Sequence, residues 1–121
     1  MLALKKLIGE WVADQTEVVV TDDGEYEVAT TEVDAYGDTI YVWVKPDGTH
    51  YRVGDDGRLL FKLDPGAEDT ELMTTAEEIA LGSGYEYNHE TGEIFVIVTE
   101  KQLAGAIMRL ALLQTAISYI G

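Results

Sequence analysis

Apolar and polar positions recur with two different periods along the chain. Leu4, Leu7, Ile8, Trp11 and Val12 fall at helical spacing, which predicts a short amphipathic helix over residues 2–13. Two runs rich in Val and Tyr follow, Glu17 to Thr21 and Glu25 to Thr30. Between them lies Asp22-Asp23-Gly24, whose Asp-Gly step suits a hairpin turn with positive φ. Thr39 to Lys45 is the strongest strand signal, and the unbroken apolar stretch from Ile40 to Val44 predicts burial on both faces. Pro46-Asp47-Gly48 then turns the chain into a partner strand, Thr49 to Val53.

After the turn Asp55-Asp56-Gly57, the residues Leu59, Leu60, Phe61 and Leu63 fit a short strand or one helical turn equally well. Pro65-Gly66 breaks the chain. A helix is then expected over Glu71 to Leu81, with Thr74/Glu77 or Thr75/Glu78 as a capping box and Gly82 and Gly84 as the stop. A third hairpin spans Tyr85 to Thr99, looping through Asn88 to Gly92 and returning along Glu93 to Val98. A long final helix runs from about Lys101 to Ile120. These elements define an α+β fold, an antiparallel sheet of about five or six strands packed on the long C-terminal helix, with short N-terminal and middle helices at its edges. Residues 1–121 read as a single domain.

The last helix carries two apolar stripes. Leu103, Ala106, Ile107, Leu110, Leu113 and Ile117 form a broad face suited to the sheet; Met108, Leu112, Ala116 and Tyr119 form a narrower one beyond Arg109. The narrow stripe needs a second cover. The preferred arrangement lays the N-terminal helix on it through Leu4, Leu7, Ile8 and Trp11; the alternative is a homodimer face.

The order of elements is also familiar. Thr31-Glu32-Val33-Asp34, the short loop to Gly37-Asp38, the strand Ile40 to Val44, and Tyr51-Arg52-Val53-Gly54-Asp55-Asp56-Gly57 resemble the uncharacterised family catalogued as domain of unknown function 1828. The helix, hairpin and long final helix from Glu71 to Ile120 continue the likeness, which covers roughly residues 25–120. The resemblance implies a prokaryotic, phage or mobile-element origin and brings no established activity or catalytic residues.

Charge changes the functional picture more than composition does. The chain has 23 Asp and Glu against 8 Lys and Arg, a formal net charge of −15, at an ordinary hydrophobic content of 46%. It is an acidic folded protein with no electrostatic basis for direct binding to nucleic acid or anionic lipid. The absence of cysteine excludes disulfides and thiolate metal sites. Residues 1–12 lack the apolar run of a signal peptide, and Arg109 interrupts the final helix as a membrane span, so a cytoplasmic protein without membrane attachment is expected.

Few residues offer catalysis. Ser83 and Ser118 lack a nucleophile-elbow context, and Gly82-Ser83-Gly84 lacks the third glycine of a dinucleotide fingerprint. His50 and His89 sit beside turns, and the Asp-Gly pairs lack calcium-loop spacing. No catalytic residue, cofactor or metal is assigned. A lesser enzymatic alternative groups Asp34 and Asp38 with Asp55 or Asp56 as magnesium ligands for phosphodiester cleavage.

Acidic residues are segregated. Ten lie between Leu7 and Val44 with no Lys or Arg among them, and the same holds from Leu63 to Glu100. Lys45, Arg52, Arg58 and Lys62 cluster in the middle of the chain. Strand alternation sets Glu25 and Glu27 on one face, roughly 6–7 Å apart, and Glu32, Asp34 and Asp38 extend the tract. Such a row imitates a phosphate backbone. The function expected is therefore a non-enzymatic binding protein, a phage or mobile-element inhibitor that occupies the basic groove of a host nucleic-acid-binding protein through Glu25, Glu27, Glu32, Asp34 and Asp38. The alternative is a halophile's structural or regulatory homodimer, whose acidity only suits high salt.

Overall fold

The computed structural model describes residues 1–121. Helix α1 (Leu4–Gln15) leads into a hairpin of β1 (Glu17–Val20) and β2 (Tyr26–Val33), then a second hairpin of β3 (Thr39–Asp47) and β4 (His50–Gly54). Helices α2 (Arg58–Leu63) and α3 (Thr70–Gly82) precede a third hairpin of β5 (Glu86–Tyr87) and β6 (Ile94–Val98), and α4 (Glu100–Ser118) closes the fold. The six strands form one antiparallel sheet in the order β1-β2-β3-β4-β6-β5. The fold is the expected α+β architecture, and the stretch after Asp56 resolves as a helical turn.

One face of the sheet meets α4. Pairing aligns Val28 with Val42 and Val44 with Val53, so these valines point the same way and are buried against Leu110, Leu113 and Ile117. Each fully buried branched side chain contributes about 1.5–3 kcal/mol relative to exposure. Polar bonds fix the angle of the helix on the sheet: Gln114 Nε2 donates to the Tyr41 carbonyl at 3.1 Å, and the buried Tyr85 hydroxyl donates to the Ala106 carbonyl at 2.6 Å. A capping box starts α4, with the Thr99 side chain and Gln102 satisfying each other's backbone N–H groups.

Three expectations change. The α3 cap is Asp69, whose carboxylate accepts from the Leu72 amide at 2.9 Å, so Thr74 and Thr75 lie inside the helix. The apolar run of β3 is not covered evenly. Ile40, Val42 and Val44 are buried on the inner face, Tyr41 emerges outward, and Trp43 is buried on the outer face beneath the Arg58 guanidinium, 4.5 Å from its ring centre.

The third change concerns α1, which does not lie on the narrow stripe of α4. It has no buried residue and touches β2 instead. The cause is local. Only Thr16 separates α1 from β1, and its hydroxyl back-bonds to the Val12 carbonyl at 2.6 Å, so the helix stays at the β1–β2 margin of the sheet. Met108, Leu112, Ala116 and Tyr119 are consequently exposed within the chain.

Candidate functional site

The acidic tract divides into two parts with different chemistry. Register pairs Glu17 with Ala29 and Val19 with Glu27, which places Glu17 and Glu27 diagonally on the sheet face opposite α4. Glu25 has the same strand parity as Glu27, and its carbonyl accepts from the Thr21 amide at 2.8 Å, which closes the hairpin around Asp22 and Asp23. Gly24 takes the positive φ (78°) this turn requires. None of Glu17, Asp22, Asp23, Glu25, Glu27 or Glu32 enters an ion pair. Across such a diagonal, roughly 7–8 Å, like charges are still neighbours, and here they stand without a compensating cation.

Asp34 and Asp38 belong elsewhere. Beyond the irregular pairing between Ala29 and Val33, the chain turns through residues 34–38, and Asp34 is buried there. Its Oδ1 accepts from the amides of Tyr36 at 2.8 Å and Asp38 at 3.0 Å, while Lys62 Nζ from α2 donates to Asp34 Oδ2 and to the Asp38 carboxylate. Burial works to raise the Asp34 pKa, but Lys62 and the two amides outweigh it and hold the carboxyl below its ordinary value. Lys62 is shifted upward by the hydrogen bonds to both carboxylates. Ser118 Oγ, accepting from the Ala35 amide at 2.9 Å, ties the same loop to the end of α4. Asp34 is thus a structural carboxylate with its charge neutralised inside the molecule, and the row of five expected carboxylates reduces to Glu25, Glu27 and Glu32 as unpaired groups.

The proposed metal grouping is not assembled. Lys62 stands between Asp34 and Asp38, Asp56 faces Lys45 and Arg58 at 3.6 Å each, and Asp55 is sealed in the core. No group of three or more His, Asp or Glu has the arrangement to hold a metal ion. Ser83 and Ser118 donate to backbone carbonyls of their own helices. His89 Nε2 meets Glu77 at 3.0 Å on the surface, and His50 Nδ1 meets Thr49 at 2.9 Å.

Asp55 is a residue whose importance only the fold reveals. Its Oδ1 accepts from the amides of Gly57 and Ile94, both at 2.9 Å, while its own amide donates to the Ile94 carbonyl at 3.1 Å. The Asp55-Asp56-Gly57 turn is thereby stitched to β6. Gly57 has φ 71°, and a Cβ there would stand 2.7 Å from the Thr91 carbonyl oxygen, so both conformation and space demand glycine. Oδ2 is buried with no partner. Burial, reinforced by the charge of Glu93, pushes the Asp55 pKa up to about 6 against the opposing pull of the Ile94 and Gly57 amides. Glu93 itself pairs with Arg52, which stacks 3.6 Å from the centre of the Phe95 ring.

The basic residues of the middle region form a neutral zone. A cleft of about 160 Å³ opens among Tyr41, Trp43, Arg58, Lys62 and Gln114. Its cations already face Asp34, Asp38 and Asp56.

A sheet backed by one long helix, with Asp34 and Asp55 buried and Glu25, Glu27 and Glu32 without ion-pair partners, defines a small α+β domain. The chain belongs to the family described as domain of unknown function DUF1828, whose model matches residues 30–117. No curated protein and no solved structure matches it. The matched span begins in β2 and ends in α4, so α1 and β1 lie outside it. No helix is long and apolar enough to cross a membrane.

Proposed function

We propose that this protein is a non-enzymatic binding protein that presents the β1–β2 hairpin to a cationic protein surface, of the kind a nucleic-acid-binding groove offers. The observation that carries this reading is the uncompensated charge of Glu17, Asp22, Asp23, Glu25, Glu27 and Glu32, none of which has an ion-pair partner. A hairpin with a fixed register holds these groups in place, so little conformational entropy is lost when a basic partner meets them. Long-range attraction would speed the encounter and weaken as salt rises. An inhibitor carried by a phage or mobile element to block a host defence nuclease would use such a surface.

The test compares wild type with E25Q/E27Q/E32Q as bait in lysate, at low and high salt, with captured proteins identified. The expected result is a cationic nucleic-acid-binding protein retained by wild type at low salt and lost both with salt and with the variant. An unchanged set of captured proteins would end the proposal.

A second reading rests on the other acidic tract. Glu71, Glu78, Glu86 and Glu90 are exposed on α3 and the third hairpin, away from the β1–β2 hairpin, as surface adaptation to a salt-rich cytoplasm would have it. Thermal unfolding separates the two. A halophile's domain gains its structure only at molar salt, whereas a mimic folds in dilute buffer.

A further inference from the structure

The face of the sheet away from α4 holds a groove beside helix α1. Register sets Glu17 of β1, Ala29 of β2 and Tyr41 of β3 directly opposite one another, so their side chains form one row on that face. Strand spacing puts Glu17 and Tyr41 roughly 10 Å apart at the backbone, with only the Ala29 methyl group between them. The small side chain makes a floor. Beyond Ala29 the β2–β3 register shifts before Val33, and the extra residues bring Glu32 to the same opening.

Helix α1 supplies the remaining wall. Trp11 and Gln15 stand one turn apart on one side of the helix, and both line the groove. The link to β1 fixes their position, because the Thr16 hydroxyl and amide donate to the Val12 and Ala13 carbonyls. The groove measures about 440 Å³, in the range of a small-ligand site. Trp11 is 57% exposed and Tyr41 39%, so both walls keep open aromatic surface.

We propose that this groove takes an arginine side chain of the cationic protein that meets the acidic hairpin. The inference rests on the proposed function of that hairpin and names the side chain it selects. Charge is the first argument. Neither Glu17 nor Glu32 has an ion-pair partner, and no Lys or Arg lines the groove. The cleft beside Arg58 and Lys62 differs, because Asp34, Asp38 and Asp56 already face its cations. Shape then chooses among cations. A guanidinium is planar, stacks on aromatic faces and donates to carboxylates as a fork, whereas an ammonium is a compact and strongly hydrated charge. Trp11 and Tyr41 offer the faces, and Glu17 and Glu32 the acceptors. Position is the third argument. Glu27 lies on the same sheet face two residues before Ala29, so a partner whose other cations meet Glu25 and Glu27 reaches the groove directly.

Fluorescence anisotropy of labelled hexa-arginine and hexa-lysine, each titrated with the full chain at low salt, tests the proposal. The two probes carry equal charge, so the ratio of their dissociation constants removes general attraction to an acidic protein. Wild type is expected to prefer hexa-arginine by about threefold or more, the size of a partly exposed cation–π contact. Trp11→Leu should remove most of that preference. So should Ala29→Leu, which fills the floor without altering a charge or a ring, whereas Tyr41→Phe should retain it. All three positions are at least partly exposed, and unfolding temperatures check that each variant keeps the fold. Equal binding of the two peptides by wild type would overturn the proposal, as would a preference that survives both Trp11→Leu and Ala29→Leu. E25Q/E27Q lies outside the groove and should weaken both peptides alike with the ratio unchanged. If it weakened neither, the function proposed for the hairpin would fall, while the ratio would still decide for or against the groove.

Discussion

Two buried aspartates do opposite things to stability as pH changes. The carboxyl of Asp34 is held below its ordinary value, so its pairing stabilises the fold above the unfolded-state pKa of 3.8 and is lost as pH falls through the folded-state value. Asp55 is raised to about 6, so the native state binds its proton more tightly than the unfolded chain does. Its contribution is full below about pH 4 and declines by about 3 kcal/mol as pH rises to about 6. Asp55→Asn keeps the acceptor for Gly57 and Ile94 but cannot ionise. Urea midpoints between pH 4 and pH 7 should lose the Asp55-dependent decline, with the variant nearly equal to wild type at pH 4 and more stable than it at pH 7. A parallel offset at every pH would contradict this. Asp34→Ala removes the acceptor of two loop amides and should cost about 2–3 kcal/mol at neutral pH. Asp34→Asn, which retains one acceptor oxygen, should cost less and be less sensitive to acid. Denaturant melts at pH 3 and pH 7 measure both.

At the scale of elements, α4 separates what the core needs from what it leaves open. Leu110 is 0% exposed against the sheet, whereas Leu112, two positions on, is 59% exposed. Leu110→Ala should therefore cost about 3 kcal/mol or more through the cavity it leaves, and Leu112→Ala within about 0.5 kcal/mol; chemical denaturation of both variants checks the contrast. Alternation and turn chemistry made all three hairpins readable in the sequence, because Asp-Gly and Asn-to-Gly loops limit register at short range. The two stripes of α4 were readable by the same periodicity. What covers the second stripe was not, since a helical pattern gives a face but no address. The one-residue link at Thr16 decides where α1 sits. The paired threonines of α3 misled for a similar reason: Asp69, just before the helix, caps it more directly. Lys62 carried no local signal either, because its two carboxylates lie 28 and 24 residues away.

The whole molecule is built late along its own chain. The inner face of β2 and β3 is formed early, but Leu110, Leu113 and Ile117, which cover it, come from the last helix. The loop that holds Asp34 and Asp38 waits longer still, because Ala35 finds Ser118 across 83 positions. Contacts of such separation close slowly, since the intervening chain must be ordered first. During synthesis the first four strands would therefore emerge as a sticky, unroofed surface with no means of completing themselves. Removing the segment after Gln114 should recreate that state permanently, giving a species that binds a hydrophobic dye and aggregates at concentrations where the full chain stays clear. The final turn of α4 thus acts as a latch on assembly, and cells that make this protein would lose more from a stop a few codons early than from most changes at its acidic surface.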